Sequence, residues 1–366
     1  MHLSWYDHCK AAPCPAPISS EPKTNPPTNQ PTVPPISQPT PIPTPQPTTS
    51  PTSGNGDDTI IINDNALFNL IVENSPDGGA SLKDPSSPQS AALNWLQNPM
   101  NEQYSDARLL QRYALATLYY ATNPNNNSWK STSSWLSDID ECNWFSTSES
   151  PLDVCATTPN GGGVYQELDL RNNGLSGTIP EEISLLTALR TIRFAGNGLV
   201  GSIPSQISNL PRLEYIDLSS NELGDPTEIG ALIHLDISDN FFQTTIPVDA
   251  WSEGSPLSST LKVLDLGSNQ FFGTLPSEIG FLTKLTGLSV YDNNLSGQLP
   301  ASISKLPLEL LYVDSNKFTS NPIFPGVPQA ICTLRPDPLR EFWADCQEID
   351  CPCCTTCCTN GECTSV

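Results

Sequence analysis

Histidines, cysteines and carboxylates are the side chains of this 366-residue sequence that could carry out chemistry. The three histidines are His2, His8 and His234, and none of them lies in a catalytic motif. The sequence has no Gly-x-Ser-x-Gly, no phosphate-binding glycine-rich loop followed by lysine, and no kinase signature. Its carboxylates are numerous but scattered, so no pair suited to glycoside hydrolysis can be singled out. We therefore predict a protein that is not an enzyme and needs no cofactor.

Eight of the twelve cysteines lie near the C-terminal end of the chain, where two kinds of site are open. Cys354-Thr-Thr-Cys357 has the spacing that zinc knuckles use. Two pairs of directly adjacent cysteines would fit one tetrahedral ion poorly, so disulfides rather than a metal are the favoured interpretation. The connectivity cannot be deduced, although Cys332 with Cys346 is the favoured pair. The eight are Cys332, Cys346, Cys351, Cys353, Cys354, Cys357, Cys358 and Cys363.

The charge of the chain excludes several classes of partner. Against 16 lysines and arginines stand 39 acidic residues, which gives a formal net charge of −23. Nucleic acid and anionic lipid both attract cationic surfaces, so neither is an expected partner. No run of 18 apolar residues exists, so this chain is not expected to insert into a membrane. The first residues lack the apolar core of a signal peptide although the cysteines suggest an oxidising compartment, and we expect a signal or anchor upstream of Met1.

The elements that would position any site come from a repeat whose core is Leu-x-x-Leu-x-Leu-x-x-Asn-x-Leu. Its asparagines are 24, 24, 19, 29, 24 and 23 residues apart, which is the period of a solenoid. Before each asparagine, apolar residues alternate with a polar one, as in Leu168-Asp169-Leu170, and this predicts a strand with one buried face. The asparagine amides are expected to satisfy backbone groups where the chain bends inward. They are Asn173, Asn197, Asn221, Asn240, Asn269, Asn293 and Asn316.

Four of the asparagines are followed by a second motif, in which a glycine precedes an apolar residue and a proline. The first copy runs from Leu175 through Gly177 to Pro180, and the glycine predicts a tight or left-handed backbone. The fourth turn lacks the full motif, and the next spacing restores the missing residues between Trp251 and Thr260. We therefore expect a compensated local deformation there, with a protruding loop as one form of it.

These motifs resemble the plant-type leucine-rich repeat of receptor ectodomains and polygalacturonase-inhibiting proteins, over residues 164–319. The resemblance implies an α/β solenoid: a right-handed superhelix with a parallel concave sheet, a helical N-terminal cap and a cysteine-rich C-terminal cap. An alanine- and leucine-rich helix, tryptophan, Cys142-Asn-Trp144 and Cys155 are similar to that N-terminal cap, which implies a Cys142–Cys155 disulfide. The stretches 75–82 and 88–96 look like those of diatom-type algal repeat proteins.

Outside the repeats the composition divides the chain into four further segments. Residues 1–12 are either the tail of another cysteine-bearing module or a disordered tail. Residues 13–58 are predicted to form a proline- and threonine-rich stalk, suited either to O-glycosylation or to a plain disordered linker. Residues 59–163 are the helical cap and 320–366 the cysteine-rich cap. Within the helical cap we predict helices over Asn65 to Glu73, from Pro88 behind a Ser87 cap, and from a Ser105 cap to Thr122.

Candidate binding residues are the deviations from the repeat on its concave face. Aspartate is the common residue in the middle column of that face, so we assign it no role at this stage. One candidate cluster is cationic and aromatic, and the other combines tyrosine with aspartate; tyrosine is favoured in binding hot spots. Asn126 and Asn294 are candidate glycosylation sites. The clusters are Arg171, Arg193, Tyr215 and His234, and Tyr291, Asp292, Tyr312 and Asp314.

Three functions are consistent with this architecture. The first is an extracellular or cell-surface recognition or adhesion module that binds a protein, peptide or glycan. The second is a secreted inhibitor of a polysaccharide hydrolase, and the third is a structural protein of the cell wall or matrix. A surface anchor would favour the first, inhibition of a hydrolase the second, and detergent-resistant attachment to the wall the third.

Overall fold

The computed structural model describes twelve stretches of the chain. The chain divides into two compact units, residues 1–62 and 63–366, and the described part of the first unit is the beginning of one helix. The predicted tail and stalk, with Cys9 and Cys14, therefore lie outside the described residues. Asn126 lies outside them as well. The described ranges are 59–101, 103–124, 128–132, 134–144, 155–157, 163–225, 231–248, 251–319, 329–334, 337–346, 351–359 and 362–365.

Three helices precede the repeats: α1 (Thr59–Asn74), α2 (Pro88–Leu96) and α3 (Asp106–Thr122). Helix α2 begins as predicted, because the Ser87 hydroxyl accepts a hydrogen bond from the Ser90 N–H and proline occupies the first turn. Helix α1 begins six residues before the predicted start, since the apolar run at its N-terminal end is also helical. Ser105 lies at the start of α3, but its side chain makes no capping hydrogen bond.

A buried ion pair holds α3 against the segment that follows it. The Arg112 side chain has no exposed surface, and it donates hydrogen bonds to Glu141 at 2.9 Å and to Asn101 at 2.9 Å. Its guanidinium lies 4.6 Å from the ring centre of Trp144. A buried charge needs such partners, because its hydration is lost on folding. Trp129, Trp135 and Trp144 are core residues, and the buried arginine was not predicted from the sequence.

The repeats form the predicted sheet of parallel strands. Leu168 pairs in register with Ile192, Ile192 with Ile216, and the same buried column continues through the later strands. Each turn therefore covers the apolar residues of the previous turn, which is how a solenoid acquires a core. The strands are β3 (Glu167–Asp169), β5 (Thr191–Arg193), β7 (Tyr215–Asp217), β9 (His234–Asp236), β10 (Val263–Asp265), β12 (Gly287–Ser289) and β14 (Leu310–Tyr312). An antiparallel pair, β1 (Cys155–Thr157) and β2 (Gly163–Tyr165), precedes them.

The repeat asparagines form a hydrogen-bonded ladder along the edge of this sheet. Asn221 is typical: its Nδ2 donates to the carbonyls of Phe194, Leu218 and Ser219 at 3.0 to 3.2 Å. Its Oδ1 accepts from the Leu199 N–H at 3.0 Å. Both halves of the amide are used, so the side chain satisfies backbone groups at the bend that have left the sheet.

A flank of short strands lies beyond the asparagines, and it is interrupted at the fourth turn. The glycines of the second motif have positive φ angles, for example 87° at Gly177, as the motif predicted. Around the fourth turn, a single bridge joins Thr245 to Phe272 in place of a strand. The compensating residues return to the core through Trp251, which is buried. One flank sheet contains β4 (Ser176–Gly177), β6 (Gly198–Ser202) and β8 (Glu222–Asp225), and the other β11 (Phe272–Thr274), β13 (Asn294–Gly297) and β15 (Lys317–Phe318).

The main sheet continues past the last predicted repeat. Strand β16 (Glu341–Asp345) pairs in parallel with β14, and β17 (Thr356–Thr359) and β18 (Glu362–Ser365) extend the sheet. The Asp345 carboxylate accepts hydrogen bonds from the N–H groups of Ser315 and Asn316 at 2.9 and 3.0 Å, which in the preceding turns bond to backbone carbonyls of the next turn. A helical turn, α4 (Gln329–Cys332), precedes β16.

The predicted Cys332–Cys346 pairing is wrong. Cys332 lies at the end of α4 and bonds Cys353, while Cys346 directly follows β16 and bonds Cys357 on the neighbouring strand β17. The parallel pairing of β16 with β17 brings the second pair together, and this pairing was not visible in the sequence. All ten cysteines of the described ranges form disulfides: Cys142–Cys155, Cys332–Cys353, Cys346–Cys357, Cys351–Cys354 and Cys358–Cys363.

The concave face as a candidate ligand-binding surface

The concave face is the side of the main sheet opposite the leucine core. Side chains alternate along each strand, so this face carries a first column, a central column and a third column of residues. In β7 and the residues after it, these columns hold Tyr215, Asp217 and Ser219. The central column reads in register Asp169, Arg193, Asp217, Asp236, Asp265, Ser289, Tyr312 and Trp343.

Three members of the cationic-aromatic cluster are stacked together. The rings of Tyr215 and His234 are nearly parallel, at 7°, with centres 4.1 Å apart. The Arg193 guanidinium lies 4.8 Å from the centre of the Tyr215 ring, and it also pairs with Glu167. Both rings are partly exposed. They form a preorganised surface on which an apolar or cationic group could pack.

Arg171, the fourth member, is held by its own strand. Its guanidinium makes two hydrogen bonds to the Asp169 carboxylate, at 2.6 and 2.9 Å.

Burial, followed by the positive charge of Arg193, lowers the pKa of His234 to about 4. At neutral pH the stack therefore carries the arginine charge and a neutral imidazole.

The tyrosine-aspartate cluster is less exposed than the sequence suggested. Tyr312 is only 8% exposed, because its ring packs 5.2 Å from Trp343 and its hydroxyl donates to Glu341 at 2.7 Å. Asp314 is also buried, whereas Asp292 is exposed and accepts a hydrogen bond from Ser268. Of this cluster, Tyr291 and Asp292 therefore present surface to a ligand.

Tyr291 lies flat across the neighbouring turn. Gly267 occupies the third column beside it, and a Cβ atom at that position would overlap the Tyr291 ring. Burial, followed by the negative charges of Asp265 and Asp236, raises the pKa of Tyr291. The glycine leaves room for the Tyr291 ring to lie over the neighbouring turn.

A row of buried aspartates forms the floor of the face. Asp217, Asp236 and Asp265 are 7%, 4% and 3% exposed and follow one another in register. In each, Oδ1 accepts a hydrogen bond from the N–H two residues further along the chain, at 2.9 to 3.2 Å. These local bonds explain why aspartate recurs at this position, and they leave the charges of adjacent strands close together.

The sequence pattern places Ser289 in the central column, but it gave this small residue in a column of aspartates no role. Glu341 and Trp343 were not predicted on this face. Glu341 and Trp343 alternate with the buried Phe342 and Ala344, but the usual asparagine does not follow. Without that asparagine, five residues of alternating character were not enough to predict another turn.

The described residues contain one cluster with the geometry of a metal site, formed by Asp314, Cys358 and Cys363. Both cysteines are joined in a disulfide, so their sulfurs are not thiolate ligands. The candidate glycosylation site Asn294 is exposed at the start of β13, on the flank rather than on the concave face. No described helix has both the length and the apolar character needed to cross a bilayer.

Comparison with known proteins agrees with this architecture. The Leucine Rich Repeat family model matches residues 166–186, 188–210, 260–282 and 284–306. Receptor-like proteins 41 and 39 of Arabidopsis thaliana are 35% and 37% identical to the chain over 185 residues, covering 46% of it. The alignment covers 20% of each relative, so the chain spans about a fifth of the length of the curated relatives it matches.

Solved structures with similarity to the chain include two receptor–peptide complexes. The plant peptide hormone receptor RGFR1 with RGF2 is 31% identical, with a TM-score of 0.42, and the match covers 49% of this chain and 28% of the receptor. PEPR1 with AtPEP1 is 26% identical, with a TM-score of 0.47, and the match covers 60% of this chain and 29% of that one.

Proposed function

The chain carries leucine-rich repeats of the plant type, and from this premise we propose that its concave face docks a protein or peptide ligand in a receptor-like role outside the cell or at its surface. The observation that carries the proposal is the stack of Arg193, Tyr215 and His234 on that face. Tyrosine and arginine are enriched in binding hot spots, where their large side chains fill well-packed, desolvated contacts. The role is one of binding without catalysis.

The sheet beneath this stack supports the proposal through its rigidity. Ile216 and Leu235, which lie behind Tyr215 and His234, are buried and paired in register. A surface that is fixed before binding loses little conformational freedom on association, so more of the contact energy appears as affinity. The repeat thus provides a preorganised platform.

The disulfides support the extracellular part of the proposal. The ten cysteines of the described ranges are all paired, and such density is typical of oxidising compartments. The matched relatives are named receptor-like proteins, and the proposal extends that role to this chain.

The test is a comparison of two double variants of the full chain. Tyr215→Ala/His234→Ala removes both rings of the concave stack, whereas Phe241→Ala/Phe272→Ala removes two rings that are 55% and 47% exposed and lie next to the flank strands. Each immobilised protein would capture partners from the extracellular fluid of the cells that make it, and quantitative mass spectrometry would compare the recovered proteins and peptides.

We expect the concave-face variant to lose at least about tenfold in recovery of the specific ligand, as removal of a hot spot does. The flank variant should recover as much ligand as the parent chain. If the flank variant loses the ligand while the concave-face variant keeps it, the docking surface is the flank and the proposal is wrong.

A further inference from the structure

The acidic row of the concave face, defined as Asp217, Asp236 and Asp265, has an unusual concentration of buried charge. The three residues occupy adjacent parallel strands in register, so neighbouring Cα atoms are separated by about 4.8 Å. All three are at least nine-tenths buried. Buried carboxylates this close repel one another unless a positive charge compensates them.

The arginines that act on the acidic row lie near its Asp217 end. Burial raises the pKa of Asp217, and this shift is opposed first by the hydrogen bonds from Ser219 and then by the guanidiniums of Arg171 and Arg193. The pKa of Asp236 is raised well above its usual value by burial first, and then by the carboxylates of Asp265 and Asp217. The hydrogen bonds from Ser238 that oppose this shift come from neutral donors. Asp236, on the side of Asp217 away from the arginines, would therefore gain from an added cation.

A second observation at the same place points to a ligand. Ser289 follows Asp265 in the central column, is 1% exposed, and its hydroxyl has no hydrogen-bond partner among the described residues. Strand alternation directs this side chain to the concave face, because Leu288 and Val290 on either side are buried in the core. A buried hydroxyl without a partner is costly, so a ligand donor would be stabilised there.

The aromatic side chains on either side of Asp236 and Asp265 suit a planar cation. The His234 ring stands in the first column beside Asp236, and the Tyr291 ring lies over Gly267, two residues after Asp265, in the third column. Because the pKa of His234 is lowered to about 4, its imidazole is neutral at pH 7 and does not repel a cation. Aromatic faces attract guanidinium groups, and a guanidinium offers five donors and no acceptor to a row of oxygen acceptors.

We propose that Asp236, Asp265 and the Ser289 hydroxyl form a subsite for a basic side chain of the docked ligand, with arginine the best fit. The inference rests on the proposed function, since it assigns a chemical character to the ligand of that face. Entry of the basic side chain requires the partly exposed Tyr291 ring to turn away from the row. The row is elongated across the strands, so it matches a basic side chain better than a single metal ion, which needs convergent ligands.

The experiment uses two acetylated and amidated fluorescent peptides, tetra-arginine and tetra-citrulline, with the full chain. Citrulline has nearly the shape of arginine but no charge. The test variants are Asp236→Asn/Asp265→Asn and Ser289→Ala. The matched control, Glu181→Gln/Glu253→Gln, removes the same number of charges from exposed positions outside the concave face. Circular dichroism would establish that each variant is folded, and fluorescence anisotropy would give the dissociation constants.

We expect tetra-arginine to bind the parent chain at least tenfold more tightly than tetra-citrulline. The acidic-row variant should weaken this binding by at least tenfold and Ser289→Ala by about threefold, while the control should change it by less than twofold. Equal weakening by the acidic-row variant and the control would mean general attraction to an anionic protein, and it would overturn the inference. Equal binding of the two peptides would overturn it as well.

The capture assay separates this inference from the proposed function. If the acidic-row variant recovers the ligand as well as the parent, while the Tyr215→Ala/His234→Ala variant does not, the docking surface stands and the basic subsite is wrong. If neither variant loses the ligand, both proposals fail.

Discussion

Replacing Asn221 with alanine should reveal how much the asparagine ladder contributes to stability. The change removes four hydrogen bonds: three that Nδ2 donates to carbonyls and one that Oδ1 accepts from the Leu199 N–H. Two of the carbonyls keep another donor, because Asn197 also donates to Phe194 at 2.7 Å and Asn240 also donates to Leu218 at 2.9 Å. The principal loss is therefore the acceptor for one buried N–H.

The expected cost follows from that count. An unsatisfied buried donor costs about 1–3 kcal/mol, and truncating a 6%-exposed side chain adds a small cavity. We expect Asn221→Ala to lower the free energy of unfolding by about 2–3 kcal/mol. Asn209→Ala is the matched control, because Asn209 is exposed on the 3₁₀ turn of the preceding repeat and should change stability by less than about 0.5 kcal/mol.

Urea unfolding of the full chain, followed by circular dichroism, would measure both variants with disulfides intact. The slope with denaturant must be compared as well, because each repeat contacts only its neighbours and a weakened turn could divide the array into separately unfolding parts. Equal stabilities of the Asn221 and Asn209 variants, with an unchanged slope, would refute the assignment of the ladder as a source of stability.

Three other predictions follow from the same contacts. Glu141→Gln should lower stability by about 3–5 kcal/mol in thermal or urea unfolding, because Arg112 would keep its buried charge without the carboxylate. Asp236→Asn should gain stability relative to the parent as pH rises from 4 to 7. The raised native pKa of Asp236 means that the parent loses stability once pH passes the ordinary aspartate value, and Asn cannot ionise; urea midpoints at both pH values would measure this. Peptide mapping without reduction should recover a Cys332–Cys353 linkage. Recovery of the Cys332–Cys346 linkage predicted from the sequence would contradict the C-terminal fold.

The repeat array could be predicted from sequence because each of its signals is local. Leucine alternation defines the strand, and the asparagine defines the bend, so the in-register stacking of Leu168 on Ile192 follows from the period alone. The cap helix α2 could be predicted in the same way, since serine followed by proline is a local start signal.

What the sequence did not reveal depends on distant contacts. The main sheet continues through β16, where the Asp345 carboxylate accepts from N–H groups that backbone carbonyls satisfy in the preceding turns, and an isolated aspartate carries no such signal in the sequence. Cys346 meets Cys357 only because that continuation brings the two strands together. Arg112 has the sequence context of a surface residue, yet Glu141 and two tryptophans enclose it.

The candidate site could be predicted only in part, because it also depends on contacts between residues that are distant in the sequence. The register of the repeats correctly aligned Tyr215 with His234, and the structure stacks their rings. The exposure of Tyr312 could not be judged without Trp343, which packs against it from a turn that the sequence pattern missed. Aspartate in the central column looked like an ordinary feature of the repeat, because its local hydrogen bond recurs from turn to turn. Only the structure shows that these carboxylates are buried next to one another.

Hydrogen–deuterium exchange of the full chain with and without its captured ligand is the most direct test of where the ligand docks. We predict slower exchange on ligand binding in β7, β9 and β10 and in the turns that follow them, where the aromatic stack and the acidic row lie. Unchanged exchange there, with protection confined to the flank around Phe241 and Phe272, would contradict the account.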